Sequence, residues 1–276
     1  MAQISAADVS KLRKSTGAGM MDCKKALEEA NGDFEKAVEI IRKKGQAIAN
    51  KRADRDASEG AVLAKISDNT KYGVIISLNC ETDFVAKNED FVSFAYSIVD
   101  AALENKPASL DELKETKING RSVSDLITDQ TGKIGEKIEL SYYESISGEY
   151  VIPYIHPGNK LATLVGFNKN VDDIQVAKDI AMQVAAMAPV AIDKDDVPQS
   201  EVDKELEIGK EQARQEGKPE DLLEKIAMGK LNKFYKESTL LNQDFTKNNK
   251  QTIKQYLQGV DKDLTVTKFY RYTLNN

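Results

Sequence analysis

The hydrophobic period of this chain changes at one point, and that point constrains what the chain can fold into. Gly73 to Leu78 is a short apolar run of strand length. Beyond Asn79-Cys80-Glu81-Thr82-Asp83-Phe84-Val85-Ala86-Lys87, apolar residues recur at helical spacing, as Phe91, Phe94, Ala95 and Ile98. A strand therefore feeds a helix through a joint carrying an acid, an aromatic and a β-branched residue. Rigid scaffolds present functional groups at such joints. From these residues alone, Thr82 or Asp83 caps the following helix and Phe84 packs beneath it.

The rest of the chain reads around this joint as an α+β fold with small antiparallel sheets. Residues 1–45 form three short helices. Ser5 and Asp8 make a capping-box pattern. Thr16-Gly17-Ala18-Gly19 stops the first helix, and Asn31-Gly32 turns into a third with Phe34, Ala37, Val38 and Ile41 on one face. Gly45 is expected to end that third helix. So small a unit has a small core and is expected to dock on something. Residues 46–58, a mixed-charge stretch, read as a linker.

Residues 59–136 begin with strands at Ala61–Ile66 and Tyr72–Asn79, turned by Asp68-Asn69-Thr70, then a helix from about Asn88 to Leu103. The stretch from 104 to 136 reads as helical and irregular. Residues 137–199 repeat the hairpin-plus-helix plan, with strands at Lys137–Ile146, Tyr150–Ile155 and Leu161–Phe167, then a helix carrying Val176, Ile180, Val184 and Met187. Residues 200–236 read as an inserted helical coiled-coil hairpin broken at Gly217-Lys218-Pro219. Its expected inner residues are Val202, Leu206 and either Ile208 or Gly209, facing Leu222, Leu223, Ile226, Met228 and Leu231. Residues 237–276 return to the core with a short helix and an alternating strand at Leu264–Tyr272.

Composition narrows the function. The net charge of −6 argues against a broad electrostatic grip on nucleic acid, so no direct DNA binding is expected. No apolar run approaches the ~20 residues of a membrane span. The start lacks a signal-peptide pattern. Cys23 and Cys80 are too few for a disulfide framework and read as small buried hydrophobes. Together these features predict a chain of the reducing cytoplasm.

Signs of catalysis are sparse. His156 has no histidine or cysteine near it in sequence and reads either as a turn-flanking residue or as a binding contact. Neither a metal-ligand spacing nor a Gly-rich phosphate loop is visible, so no metal and no cofactor is expected. Met20 and Met21 point about 100° apart on a helix. At least one is thus a candidate exposed contact.

The stretch Asn79 to Asn88 closely resembles the Thr-Asp-Phe-Val signature of the bacterial elongation factor Ts family. Thr16-Gly17-Ala18-Gly19-Met20-Met21-Asp22-Cys23-Lys24-Lys25-Ala26-Leu27 resembles its N-terminal module, which is similar to a ubiquitin-associated (UBA-like) unit. Gly217-Lys218-Pro219 through Ile226, Gly229 and Lys233-Phe234 is similar to its coiled coil, and Leu240 to Phe245 to its C-terminal signature. Lys230, Asp244 and the Pro157-Gly158 after His156 depart from the usual pattern. The resemblance implies a guanine nucleotide exchange factor that is not itself an enzyme. Its partner would be elongation factor Tu, in the GDP form and the nucleotide-free form. Phe84 would act as a wedge near the Mg²⁺ and phosphate site, Asp83 would anchor the loop, and Thr82 and Val85 would shape it. Arg13, Met20 and Met21 would dock on the same GTPase domain, and His156 on another domain of the partner. A homodimer or a 2:2 complex stays open. The rival readings are a UBA-type interaction adaptor without exchange activity and an enzyme with an unmarked carboxylate site.

Overall fold

The computed structural model describes residues 4–274. Three helices open the chain: α1 (Ala6–Thr16), α2 (Met20–Glu29) and α3 (Phe34–Lys51). Ser5 and Asp8 close the expected capping box, and Gly17 at φ 70° ends α1. Val9, Leu12, Cys23, Ala26, Leu27 and Ala37 bury together as a separate small core.

The expected stop at Gly45 is not found. α3 runs through Gly45 to Lys51, so the charged stretch begins as helix. The reason is a helix crossing. Gly45 packs against α7 (Val123–Ile134), where a Cβ on Gly132 would lie 2.7 Å from the Gly45 Cα. The close approach requires a glycine at 132, and Gly45 lies at the crossing as helix interior.

Strands β1 (Glu59–Ile66) and β2 (Tyr72–Cys80) pair antiparallel, Glu59 opposite Cys80 and Ile66 opposite Gly73. After the one-turn helix α4 (Asp83–Ala86), helix α5 (Glu89–Asn105) lays Phe91, Ala95, Ile98, Val99 and Ala102 on Ala61, Leu63, Ile76 and Leu78. The irregular stretch contains α6 (Leu110–Glu115), a two-residue-per-strand hairpin of β3 (Lys117–Ile118) and β4 (Arg121–Ser122), and then α7.

Strand β5 (Glu139–Ser147) does not join the strands that follow it, as expected from the repeat. It pairs with β2, Tyr72 opposite Ser147 and Asn79 opposite Glu139, giving the order β1-β2-β5. Every residue of β2 is buried, so its polar backbone needs neighbours on both sides. The second sheet holds β6 (Tyr150–Ile155), β7 (Leu161–Phe167) and β10 (Val266–Thr273) in the order β10-β7-β6. Its third strand thus comes from the end of the chain.

The sheets pack face to face through Val62, Ala64, Ile75, Ile146, Val151, Ala162 and Leu164. Helix α8 (Ile174–Met187) covers the outer face of the second sheet. The strands alternate accordingly: Val165 and Phe167 face α8, while Ala162 and Leu164 face the other sheet.

Helices α9 (Gln199–Gln215) and α10 (Glu220–Ser238) form the projecting hairpin about Gly217. Of the two expected alternatives, Gly209 is the buried one, against Ala227, and Ile208 is exposed. Leu223 and Leu231 are buried as expected, whereas Leu222 and Met228 face solvent. Where Gly209 meets Ala227 the backbones leave room only for small side chains. The chain then returns through β8 (Asp244–Phe245), β9 (Asn248–Thr252) and α11 (Ile253–Val260), whose Ile253 and Leu257 pack into the second core.

The α3–α7 crossing yields a test. Gly132→Ala forces backbone apart and should cost about 1–3 kcal/mol. Gly45→Ala meets its nearest atoms at 3.5 Å and should be neutral or gain up to about 1 kcal/mol from helix propensity. Urea unfolding of the two variants checks the asymmetry.

Candidate functional site

The joint after β2 is held from three directions. Thr82 is the N-cap of α4, but the bond from the Val85 amide to its hydroxyl is long, at 3.4 Å. Stronger restraint comes from Glu136, in the connection between α7 and β5. The Thr82 amide donates to Glu136 Oε2 at 3.1 Å, and the Thr82 hydroxyl donates to Oε1 at 2.8 Å. The next residue returns the arrangement, with the Lys137 amide donating to Glu81 Oε1 at 2.6 Å. Arg52, at the end of α3, donates to both Glu81 oxygens at 2.8 Å. Beneath the turn, the buried Cys80 thiol donates to the Thr82 carbonyl at 3.2 Å.

Electrostatics follow this geometry. Burial pushes the Glu81 carboxyl up, but the Lys137 amide and the Arg52 guanidinium outweigh it and hold the group below its ordinary value of 4.5. Burial, with the nearby Glu136 carboxylate, drives the Cys80 thiol up to about 12, so it stays protonated and unreactive at neutral pH. The bond from Lys87 holds Asp83 below the usual carboxylate range. That pair, Lys87 Nζ to Asp83 Oδ2 at 2.6 Å, lies in water and contributes little to stability.

The four residues of the motif then divide. Thr82 caps, as expected, and Val85 packs on the first core. Ala86 is buried. Phe84 does not pack beneath the helix: it is 84% exposed. Holding a phenylalanine in water forgoes about 1.5–3 kcal/mol that burial would supply.

The other candidates lie elsewhere. Met20 and Met21 are both outside, at 61% and 64% exposure, and with Ile4 and Val9 they line an apolar groove. Arg13 is exposed on the same module. His156 is exposed, its Nδ1 2.9 Å from the Tyr154 hydroxyl, and its amide closes the β6–β7 turn on the Leu161 carbonyl at 2.8 Å. Lys160 of that turn pairs with Glu59 at 2.8 Å. The His156 turn therefore sits at the end of β1 that adjoins Cys80 and the motif.

Reasoning from sequence missed Arg52, Glu81 and Glu136. They act over separations of 29, 54 and 56 residues, which no local periodicity marks. Among the described residues, no group of three or more His, Cys, Asp or Glu side chains is placed to hold a metal ion. Nor is any described helix long and apolar enough to cross a membrane.

Fold and site define an α+β scaffold of two packed sheets that presents an aromatic side chain on a fastened turn. The chain is similar in sequence to known proteins. The family model for elongation factor TS matches residues 81–276, which includes Thr82 to Val85. The chain is 55% identical over 269 residues to elongation factor Ts of Porphyromonas gingivalis, covering 97% of each. It is 54% identical over 276 residues to that of Christiangramia forsetii, covering 99% of this chain and all of the relative. The corresponding protein of Cytophaga hutchinsonii is 52% identical over 279 residues. The chain belongs to the elongation factor Ts family of translation elongation factors.

The Glu81 bridge gives a pH test. Because its folded pKa is depressed, it stabilises the fold above the unfolded value of about 4.5, and that contribution is lost as pH falls below this point. Glu81→Gln should therefore be less stable than the native chain at neutral pH, with the gap closing below about pH 4.5. Urea midpoints of the two proteins across that range check it.

Proposed function

We propose that this chain binds the GDP form of elongation factor Tu and speeds GDP release, leaving a nucleotide-free complex that GTP then resolves. The observation that carries the reading is Phe84, held in water on a turn fastened at Thr82 and packed at Val85 and Ala86. An exposed aromatic on a rigid mount is an anchor prepared for a partner pocket.

A GTPase grips nucleotide through backbone amides around the phosphates and through Mg²⁺. A partner accelerates release only by stabilising a state that grips poorly. The coupling is reciprocal, so nucleotide weakens the partner complex by the same factor. Each tenfold takes about 1.4 kcal/mol, and a few-thousandfold loss takes roughly 5 kcal/mol. Phe84 inserts near the Mg²⁺ site, while Asp83, paired with Lys87 in the free chain, anchors the loop by polar contacts. Arg13, Met20 and Met21 dock the N-terminal module on the GTPase domain, and the His156 turn meets a second domain. No bond is made or broken by this chain. The setting is the bacterial cytoplasm.

A second reading draws on the exposed Met20–Met21 groove: an adaptor that docks through its first three helices. Release of a fluorescent GDP from elongation factor Tu separates the two. The native chain should accelerate release strongly. Phe84→Ala should lose roughly 30-fold, as expected of an anchor worth about 2 kcal/mol. Asp83→Ala should lose less. No acceleration by micromolar native chain would favour the adaptor.

A further inference from the structure

We infer that Glu136 is a positioning residue for Phe84, setting the direction of the aromatic ring without touching the partner. The inference rests on the exchange reading for its functional consequence, and on geometry for the positioning itself. At 84% exposure, the Phe84 side chain has almost no contacts to aim it, so its direction is that of the α4 backbone. Helix α4 is one turn long, Asp83 to Ala86, far below the length at which a helix holds itself. Its own cap is the long 3.4 Å bond at Thr82. What fixes the start of the turn is therefore whatever fixes Thr82.

Glu136 does so with two separate oxygens, one on the amide and one on the hydroxyl. One bond would leave a pivot, whereas two fix rotation as well as position. Both are charge-assisted, the stronger class of hydrogen bond. The mount is itself pinned on either side. Gly135, at φ 83°, closes α7 through its amide to the Thr131 carbonyl at 2.8 Å. Lys137 is tied by its amide to Glu81, and Glu81 to Arg52. Carboxylates from the two segments thus exchange amides, Glu81 taking Lys137 and Glu136 taking Thr82. The exchange fixes the two loops against each other at the end of the sheet.

The test is a double-mutant cycle on fluorescent GDP release from elongation factor Tu, using the full chain with Glu136→Ala, Phe84→Ala and both changes. Glu136→Ala should slow stimulated release about tenfold, the scale of losing hydrogen bonds to a charged group. The double variant should be no slower than Phe84→Ala, because misaiming an absent ring has no effect. Glu136→Gln, which keeps one acceptor oxygen, should lie between native and Glu136→Ala. A full additional loss in the double variant, or native rates in Glu136→Ala, overturns the inference.

Amide hydrogen exchange at Ala86 and Lys87, whose amides close α4 on the Thr82 and Asp83 carbonyls, supplies a readout that needs no partner. It should quicken about tenfold in Glu136→Ala while amides of α8 keep their native rates. Unchanged rates at Ala86 and Lys87 overturn the positioning role even if the native chain proves an exchange factor. Faster rates with no GDP release by the native chain uphold the positioning role and sink the exchange reading instead.

Discussion

Two carboxylates, each accepting the backbone amide that follows the other, hold this molecule's exposed loop in place. Glu81 accepts from Lys137, and Glu136 accepts from Thr82. The first segment ends the fully buried strand β2, and the second leads into β5, its partner along one edge. Side chains therefore complete at the strand ends what the ladder does along their length. Arg52 extends the hold to α3, and the Gly45–Gly132 crossing joins α3 to α7, the helix that leads into Glu136. Thr82, Glu136, α7, α3 and Arg52 form a closed loop of contacts. Displacing any one of them loads the others.

The layered core supplies the rigidity this hold requires. Each sheet is covered by a helix on one face and by the other sheet on its second face. Strand β2 is buried along its whole length because it is central in its sheet and sandwiched between α5 and the second sheet. A turn that leaves such a strand inherits a fixed starting point. The same layering explains why β5 crosses to the first sheet and why β10 returns from the end of the chain. A two-stranded ribbon is marginal alone, and each hairpin needs a third strand.

Against that rigid background, the exposure of Phe84 is a local departure from the rule that governs the rest of the chain. Ala86, two residues on, is buried, and Val85 packs on the first core, so burial was within reach of this turn. The free chain forgoes about 1.5–3 kcal/mol at Phe84 by leaving it in water. Met20 and Met21 make a similar departure on the three-helix module, beside an apolar groove. Both sites lie on elements fixed to the same α3–α7 crossing.

Much of this was legible from residues close together in the chain. The Ser5–Asp8 capping box, the Gly17 stop, the β1–β2 hairpin, the Thr82 cap and the α9–α10 turn all rest on side chains and glycines within about five residues of the backbone they govern. Adjacency on a helix also placed at least one of Met20 and Met21 outside. Tertiary structure alone decided the rest. Gly45 has the residue type of a helix stop, and only α7 crossing at that point makes it helix interior. The apolar pattern of β5 suits either sheet, and the unmet edge of β2 chose between them. Phe84 fits equally beneath the turn or out in water by its local residues, and the folded structure places it outside. Local sequence sets what a segment is able to form. Which of its options survives depends on the partners that distant segments bring, and those are fixed only when the chain closes on itself.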